Sequence, residues 1–341
     1  MLQQVMLAPR KIEFQEIAKP EPGKGQVLIS MRKIGVCGSD IHVNHGQHPF
    51  TSYPITQGHE VAGEIVALGE GVQQFRVGQK VTVEPQIVCG QCHPCRHGKY
   101  NLCTELKVMG FQAPGLAQTF VAVDEGRVTA LPDEMTFDQG AMIEPLAVAV
   151  HAIRQAGDVT GLNVVVLGAG PIGNLVAQTA KGMGAKAVFI TDISDLRLRI
   201  AKDCGVDFAV NTRQQAFGEA LEQAFGPDGA DLIYDCAGND ITMGQAIQYA
   251  RKGSMIILVA VFAQRAQIDL AVANDHELCI NSSMMYRHED YVEAIALAEK
   301  GRVQLDPLMS KTFAFRDYQK AYDYIDANRE ETMKVLIDVQ A

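Results

Sequence analysis

The sequence predicts an α/β fold built on a doubly wound parallel sheet. Three observations carry this. An apolar, β-branched run, Asn163-Val164-Val165-Val166-Leu167, ends in Gly168-x-Gly170-x-x-Gly173 and passes into a helical pattern over 174–182. A second apolar strand at 187–191 ends on Asp192. Strand patterns at 207–210, 231–235 and 255–260 then alternate with helical ones, which is the sequence form of a parallel sheet with helices on both faces.

Taken in order, residues 1–35 read as short strands at 5–8, 11–15 and 26–33, with Lys19-Pro20-Glu21-Pro22-Gly23 as a turn. An apolar strand follows at 61–66, and a turn and strand at 77–83. The strand–helix alternation runs from 163 to about 260 and stops near Met285. A helix over 289–300 then leads into Gly301, and strands at 311–314 and 334–338 bracket another helix. No internal repeat or low-complexity segment interrupts the chain.

The glycines of the 168–173 turn each have a task. Gly168 allows the sharp turn, Gly170 lets the backbone approach a pyrophosphate, and Gly173 lets the helix pack close to the strand. The helix N-terminus offers unpaired N–H groups and the positive end of its dipole to phosphates. Asp192 is suited to accept both ribose hydroxyls of NAD, and its charge repels a 2′-phosphate. Pro171 and Ile172 within the turn and Arg197 beyond the acid complete this cofactor set.

At 341 residues, 47% hydrophobic and 21% charged, the chain reads as two domains of a soluble globular protein. A net charge of −10 argues against nucleic acid or an anionic membrane as the main partner. No apolar run is long enough to span a membrane. Met1-Leu2-Gln3-Gln4 lacks the basic-then-apolar pattern of a signal peptide, so the expected location is cytoplasmic. Eight cysteines are then expected as metal ligands or buried thiols rather than disulfides.

Four of them form Cys89-x2-Cys92-x2-Cys95-x7-Cys103. Four thiolates at this spacing close a tetrahedral site with no open position, which is a structural zinc site; an iron–sulfur cluster is the rival metal. Cys37 and His59-Glu60 make a second set. A thiolate, an imidazole and a carboxylate leave a fourth position open, the arrangement of a zinc ion acting as Lewis acid on an alcohol or carbonyl oxygen. Their spacing alone does not separate that site from a core cysteine and a surface His-Glu pair.

The ordered set Gly35-Val36-Cys37-Gly38-Ser39-Asp40-x-His42, Gly58-His59-Glu60, the four cysteines, Glu144-Pro145-Leu146, the Gly168–Gly173 turn and Asp192 resembles the zinc-dependent medium-chain dehydrogenase/reductase family. Within it, the polyol (sorbitol-type) and threonine dehydrogenases are most alike. The resemblance covers essentially the whole chain. It implies a Rossmann doubly wound parallel sheet inserted in a β-rich GroES-like catalytic domain, with the catalytic domain at 1–147, the NAD-binding domain at 148–285, and a return to the catalytic domain at 286–341. It further implies that Cys37, His59 and Glu60 hold the catalytic zinc, that Glu144 ligates it directly or through a water, and that Asp40 orients His59. Ser39 would hydrogen-bond the substrate hydroxyl and pass its proton on, with His42 as relay. Ala237, Val259 and Val261 would lie near the nicotinamide. A homo-oligomer, dimer or tetramer, is the family expectation.

The expected activity is NAD-dependent oxidation of a secondary alcohol in a polyol, sugar or sugar acid. Phe50 and Phe111 are expected to shape the pocket, together with Tyr286-Arg287 where one domain hands back to the other. That order departs from the family's Arg-aromatic pair. Arg287 is open to two readings, a bidentate ligand for a substrate carboxylate or a hinge-surface arginine. Ser39 also suits a helix-capping turn. The rival functions are threonine 3-dehydrogenase and a non-catalytic protein that binds NAD and zinc.

Overall fold

The computed structural model describes residues 1–341 except Ala263. The chain forms two compact units: Met1–Glu144 with Arg287–Ile295 and Met309–Ala341, and Pro145–Tyr286 with Ala296–Leu308.

The first unit opens with an antiparallel hairpin, β1 (Leu2–Ala8) and β2 (Lys11–Glu16). The long strand β3 (Gln26–Val36) runs directly into helix α1 (Gly38–Asn44). Next come β4 (Glu60–Leu68), β5 (Lys80–Val83), β6 (Gln86–Ile87), the one-turn α2 (His93–Arg96) and β7 (Lys107–Val108). After β8 (Phe120–Asp124) and β9 (Val128–Ala130), helix α3 (Phe137–Ala141) is closed at its start by the Thr136/Gln139 capping box. Helix α4 (Ile143–Arg154) leads out of this part of the chain.

The second unit alternates β10 (Asn163–Leu167), α5 (Pro171–Gly182), β11 (Ala187–Asp192), α6 (Asp195–Asp203), β12 (Phe208–Asn211), α7 (Phe217–Phe225), β13 (Leu232–Asp235), α8 (Asp240–Tyr249), β14 (Met255–Leu258), α9 (Leu270–Asp275) and β15 (Cys279–Ser282). Among the described residues, its six strands are all parallel, in the order β12-β11-β10-β13-β14-β15. The order reverses between β10 and β13, so the turns after these two strands flank the switch point of a doubly wound sheet. Val165, Leu167, Phe189, Ile233 and Ile256 form its buried core with α7 and α8.

Helix α10 (His288–Glu299) then passes to β16 (Met309–Ala314), α11 (Tyr318–Ala327) and β17 (Lys334–Asp338). The last two strands join the sheet of the first unit, whose order is β16-β17-β3-β4-β5-β9, with β8 also paired to β3. Strand β3 is therefore central, and Val27, Ile29, Met31 and Ile34 are fully buried within the core of this unit.

Several features differ from the sequence reading, among them the short strands β6 to β9, which had not been expected. Strand β15 falls where no strand was expected, because Cys279-Ile280-Asn281-Ser282 is an edge strand without an apolar run. Helix α5 starts at Pro171 rather than 174, proline being pre-set for a first helical position. Ala296–Leu308 groups with the second unit rather than with the rest of the tail. Gln178 ties it there, accepting from Gln304 N at 2.7 Å and donating to Gln304 O at 3.2 Å, while Arg302 fills the space beside Gly182.

Candidate active site

Strand β3 ends at Val36, and Cys37 caps the helix that follows. The Cys37 backbone N–H donates to Asp40 Oδ2 at 2.9 Å, and the Ser39 hydroxyl donates to Cys37 Sγ at 3.1 Å. Strand β4 begins at Glu60, directly opposite Gly35 on β3. The antiparallel register thus sets His59 and Glu60 beside Cys37. One ligand atom from each of Cys37, His59 and Glu60 lies within 4.8 Å of the others.

His59 and Asp40 are both buried, with Nδ1 and Oδ1 3.5 Å apart. Neither of these two atoms has a hydrogen-bond partner. Burial disfavours a charge on His59, but Asp40 and Cys37 outweigh it and raise the imidazole well above its usual pKa. A cation at the other ring nitrogen would resolve this orphaned pair, leaving an Nδ1–H for Asp40 to accept. Together with the borderline-soft thiolate, imidazole and carboxylate donors, this makes the site fit zinc. Phe111, nearly buried, lies against His59 with ring centroids 4.9 Å apart, and His48 stacks on the same ring at 4.7 Å.

The four cysteines also converge, one sulfur from each within 4.8 Å of the rest. Backbone N–H groups of Cys89 and Glu105 point at Cys103 Sγ, at 3.3 and 3.4 Å, and that of Cys92 points at Cys89 Sγ at 3.3 Å. Backbone hydrogen bonds bring the Cys92 thiol down to about 6, while desolvation and its neighbouring thiols push Cys95 up to about 12. Sulfurs held by backbone donors, in a lobe whose α2 contains no buried residue, fit a closed structural metal site. Among the described residues, these two are the groups of three or more His, Cys, Asp or Glu side chains so placed.

The remaining candidates fall in several places. Glu144 is buried in the first turn of α4, outside the three-ligand group, and its charge reaches Lys334. His42 is exposed on the last turn of α1. Phe50 is 73% exposed. Tyr286 is fully buried. Arg287 reaches Gly98 O at 3.4 Å and Glu289 Oε1 at 3.0 Å. These contacts tie part of its guanidinium to the cysteine lobe and to α10.

In the second unit the glycine turn has the expected form. Gly168 has φ +95°. A Cβ on Gly173 would lie 1.8 Å from Gly168 O, so helix and strand close up only without one. At Gly170 the space is open, the nearest atom being Arg197 Nη1 at 3.9 Å. That gap beside the start of α5, with Pro171 and Ile172 in its first turn, fits a pyrophosphate. Asp192 is nearly buried. It accepts from Ala169 N at 2.7 Å and from Ile193 N and Ser194 N at 2.8 and 2.9 Å, with Arg197 Nη1 at 3.9 Å. Asp235 holds the turn after β13 by accepting from Ala237 N and Gly238 N at 3.0 Å and from the Thr242 hydroxyl at 3.1 Å. Val259 N and Ala260 N donate to Asp235 O, tying the turn after β14 to it, and Val261 beyond is 93% exposed. Burial pushes the Cys236 thiol up, which disfavours its thiolate.

Two family models match the chain, Alcohol dehydrogenase GroES-like domain over residues 23–133 and Zinc-binding dehydrogenase over residues 171–300. A sorbitol dehydrogenase of Halalkalibacterium halodurans is 37% identical, across 95% of this chain and 94% of its own. The chain belongs to the zinc-binding dehydrogenase family. A 2-dehydro-3-deoxy-L-galactonate 5-dehydrogenase of Pseudoalteromonas atlantica is 34% identical across 94% of this chain and 93% of its own length. A solved structure from Escherichia coli CFT073, described as a short chain alcohol dehydrogenase complexed with NADH, superposes with a TM-score of 0.91 at 31% identity, covering 99% of both chains.

The structure adds residues to this dehydrogenase's site that sequence reasoning missed. Lys334, fully buried at the start of β17, donates to both Glu60 carboxylate oxygens at 2.6 Å and to Val36 O at 3.2 Å. Burial disfavours its charge, but Glu60, Cys37 and Glu144 raise its pKa above the usual lysine value, so it is an ammonium. Gln57 links Asp40 to two further residues: its Nε2 donates to Asp40 O at 3.4 Å, its Oε1 accepts from Tyr322 Oη at 2.9 Å, and its N donates to Gln4 Oε1 at 3.0 Å. The one available signal was a lysine at the head of an apolar strand, which reads equally as a solvated strand end.

Proposed function

We propose that this dehydrogenase oxidises a secondary hydroxyl of a polyol or sugar, with zinc held by Cys37, His59 and Glu60 and with NAD as hydride acceptor. The observation that carries the reading is the convergence of thiol, imidazole and carboxylate within 4.8 Å, with a hydroxyl, that of Ser39, on the thiol. Three protein ligands with an open position are the pattern of a catalytic rather than a structural zinc. When bound, zinc supplies Lewis acidity to an alcohol oxygen and the nicotinamide takes up hydride.

The chain's own residues do the rest. The Ser39 hydroxyl accepts the substrate's hydroxyl proton as it gives up its own to the exposed His42, which passes it to solvent. Asp40 holds the His59 ring in one tautomer. Phe111 forms an apolar wall at His59 that keeps water away. Glu144 completes the site, as a further ligand or by holding a water. Asp192 receives the ribose hydroxyls, the gap at Gly170 takes the pyrophosphate, and the turns at Ala237 and at Val259 to Val261 border the nicotinamide. The NADH-bound relative supports the cofactor, and the sorbitol dehydrogenase relative supports the substrate class. A neutral polyol is favoured over a sugar acid because Arg287 already has carbonyl and carboxylate partners. By family resemblance, the reading extends to a cytoplasmic homo-oligomer, dimer or tetramer.

The test is NAD reduction, followed by absorbance, over sorbitol, xylitol, inositols, butanediol, threonine, galactonate and gluconate, with and without chelator. Chelator-sensitive reduction with neutral polyols is the expected result. A response confined to the acids would return Arg287 to substrate binding. One confined to threonine would make the protein a threonine dehydrogenase. Silence across the panel, with NAD and zinc shown to bind, would favour a non-catalytic binding protein.

A further inference from the structure

The carboxylate of Glu60 has more than one claimant. It belongs to the three-ligand group with Cys37 and His59, yet both of its oxygens accept from Lys334 Nζ at 2.6 Å. The ammonium has three donors, and all three are used, two on Glu60 and one on Val36 O. Both side chains are essentially without solvent, at 3% and 1% exposure.

This geometry is built into the sheet. Glu60 opens β4 and Lys334 opens β17, and these two strands flank β3 on opposite sides. Gly35 pairs with Glu60 on one side and with Leu336 on the other. The two charged side chains meet across β3 because Gly35 has no side chain: a Cβ there would stand 2.2 Å from Glu60 Oε2 and 3.0 Å from Glu60 Cβ. Two strand-end charges and one central-strand glycine thus form a single device.

We infer that Lys334 is a positioning residue that competes with the metal for Glu60, stabilising the metal-free site and weakening the metal's hold on it. This rests on the metal reading of Cys37, His59 and Glu60 given above. Without Lys334, the metal-free protein would bury Glu60 as an uncompensated anion beside Cys37, and a bound dication would relieve it. With Lys334, the carboxylate is already neutralised, so a metal gains less by binding. The site then tolerates the metal-free state, and less charge is donated to the metal that it holds.

The test compares wild type, Lys334→Met and Lys334→Arg loaded with Co2+, whose absorption separates a one-thiolate site from a four-thiolate site. Release of the one-thiolate cobalt to a competing chelator is followed, together with Tm before and after chelation. The expected result is release slower by about tenfold or more in Lys334→Met, from loss of a nearby unit charge. The drop in Tm on chelation should also be larger than in wild type, and Lys334→Arg should restore both. If Lys334→Met does not fold without metal, Lys334→Gln, which keeps a donor but no charge, carries the same comparison. Equal or faster release, or a Tm loss that is the same with and without metal, would overturn the inference and leave Lys334 a purely structural pair. Absence of a one-thiolate cobalt band in wild type would instead overturn the metal reading itself.

Discussion

At the scale of single residues, charge placement decides what each acid does. Asp192 and Glu60 both stand at a strand end, but three backbone N–H groups hold Asp192 and a buried lysine holds Glu60. Replacing Asp192 by Ala should raise the KM for NAD by about tenfold, as expected for losing charge-assisted hydrogen bonds, and should narrow the preference over NADP. Steady-state kinetics with both cofactors checks this, and a wild type that already prefers NADP would contradict it. Glu60 is less simple to probe. Glu60→Ala would strand Lys334 in the interior, at a cost of about 3–5 kcal/mol, so lost activity in that variant mixes metal binding with folding. Cys37→Ser is the cleaner change, because Ser is itself a good N-cap.

At the scale of elements, the site depends on how closely backbones approach. Helix α5 rests on the end of β10 through Gly173. Gly173→Ala would drive a methyl group into the Gly168 carbonyl, which must move, and strain of this kind costs about 3 kcal/mol. A fall in Tm with weaker NAD binding, read by thermal unfolding and titration, is the expected outcome. An alanine variant with unchanged Tm would show that the turn relaxes freely. The same principle, on a different element, operates at Gly35 on β3. The turn glycines were legible from their spacing. Gly35 was not, because what crosses it comes from residues 25 positions ahead and 299 ahead in the chain, at Glu60 and Lys334.

At the scale of the whole molecule, the proposed function assigns different tasks to the two ligand clusters, and their contributions should be separable. Cys95→Ser should lower metal content by one per chain and reduce Tm, since a closed four-thiolate site contributes folding energy directly. Cys37→Ser should also lose one metal and abolish turnover, while Tm changes by only a few degrees, about the effect of a surface change. Metal analysis, calorimetry and assays on the two variants check this together, and matching losses of Tm would undo the division of labour. Among the described residues, no helix is long and apolar enough to cross a membrane.

The doubly wound sheet, the glycine turn with its acid and the four-cysteine cluster were legible in the sequence because each is written in local spacing, whereas Cys37, His59 and Glu60 were singled out by family resemblance and not by their spacing. Strand periodicity, glycines at fixed offsets and clustered cysteines act within a few tens of residues of one another. Only the tertiary structure decided which of these groups share a site and on what terms. Pairing of β3 with β4 sets Glu60 beside Cys37, and pairing of β3 with β17 brings in Lys334. Arg287 was left ambiguous by its sequence, and the structure adds a hydrogen bond to Gly98 in the cysteine lobe. In each case the deciding partner is distant in the chain and recognised by charge and reach, for which linear spacing carries no signal.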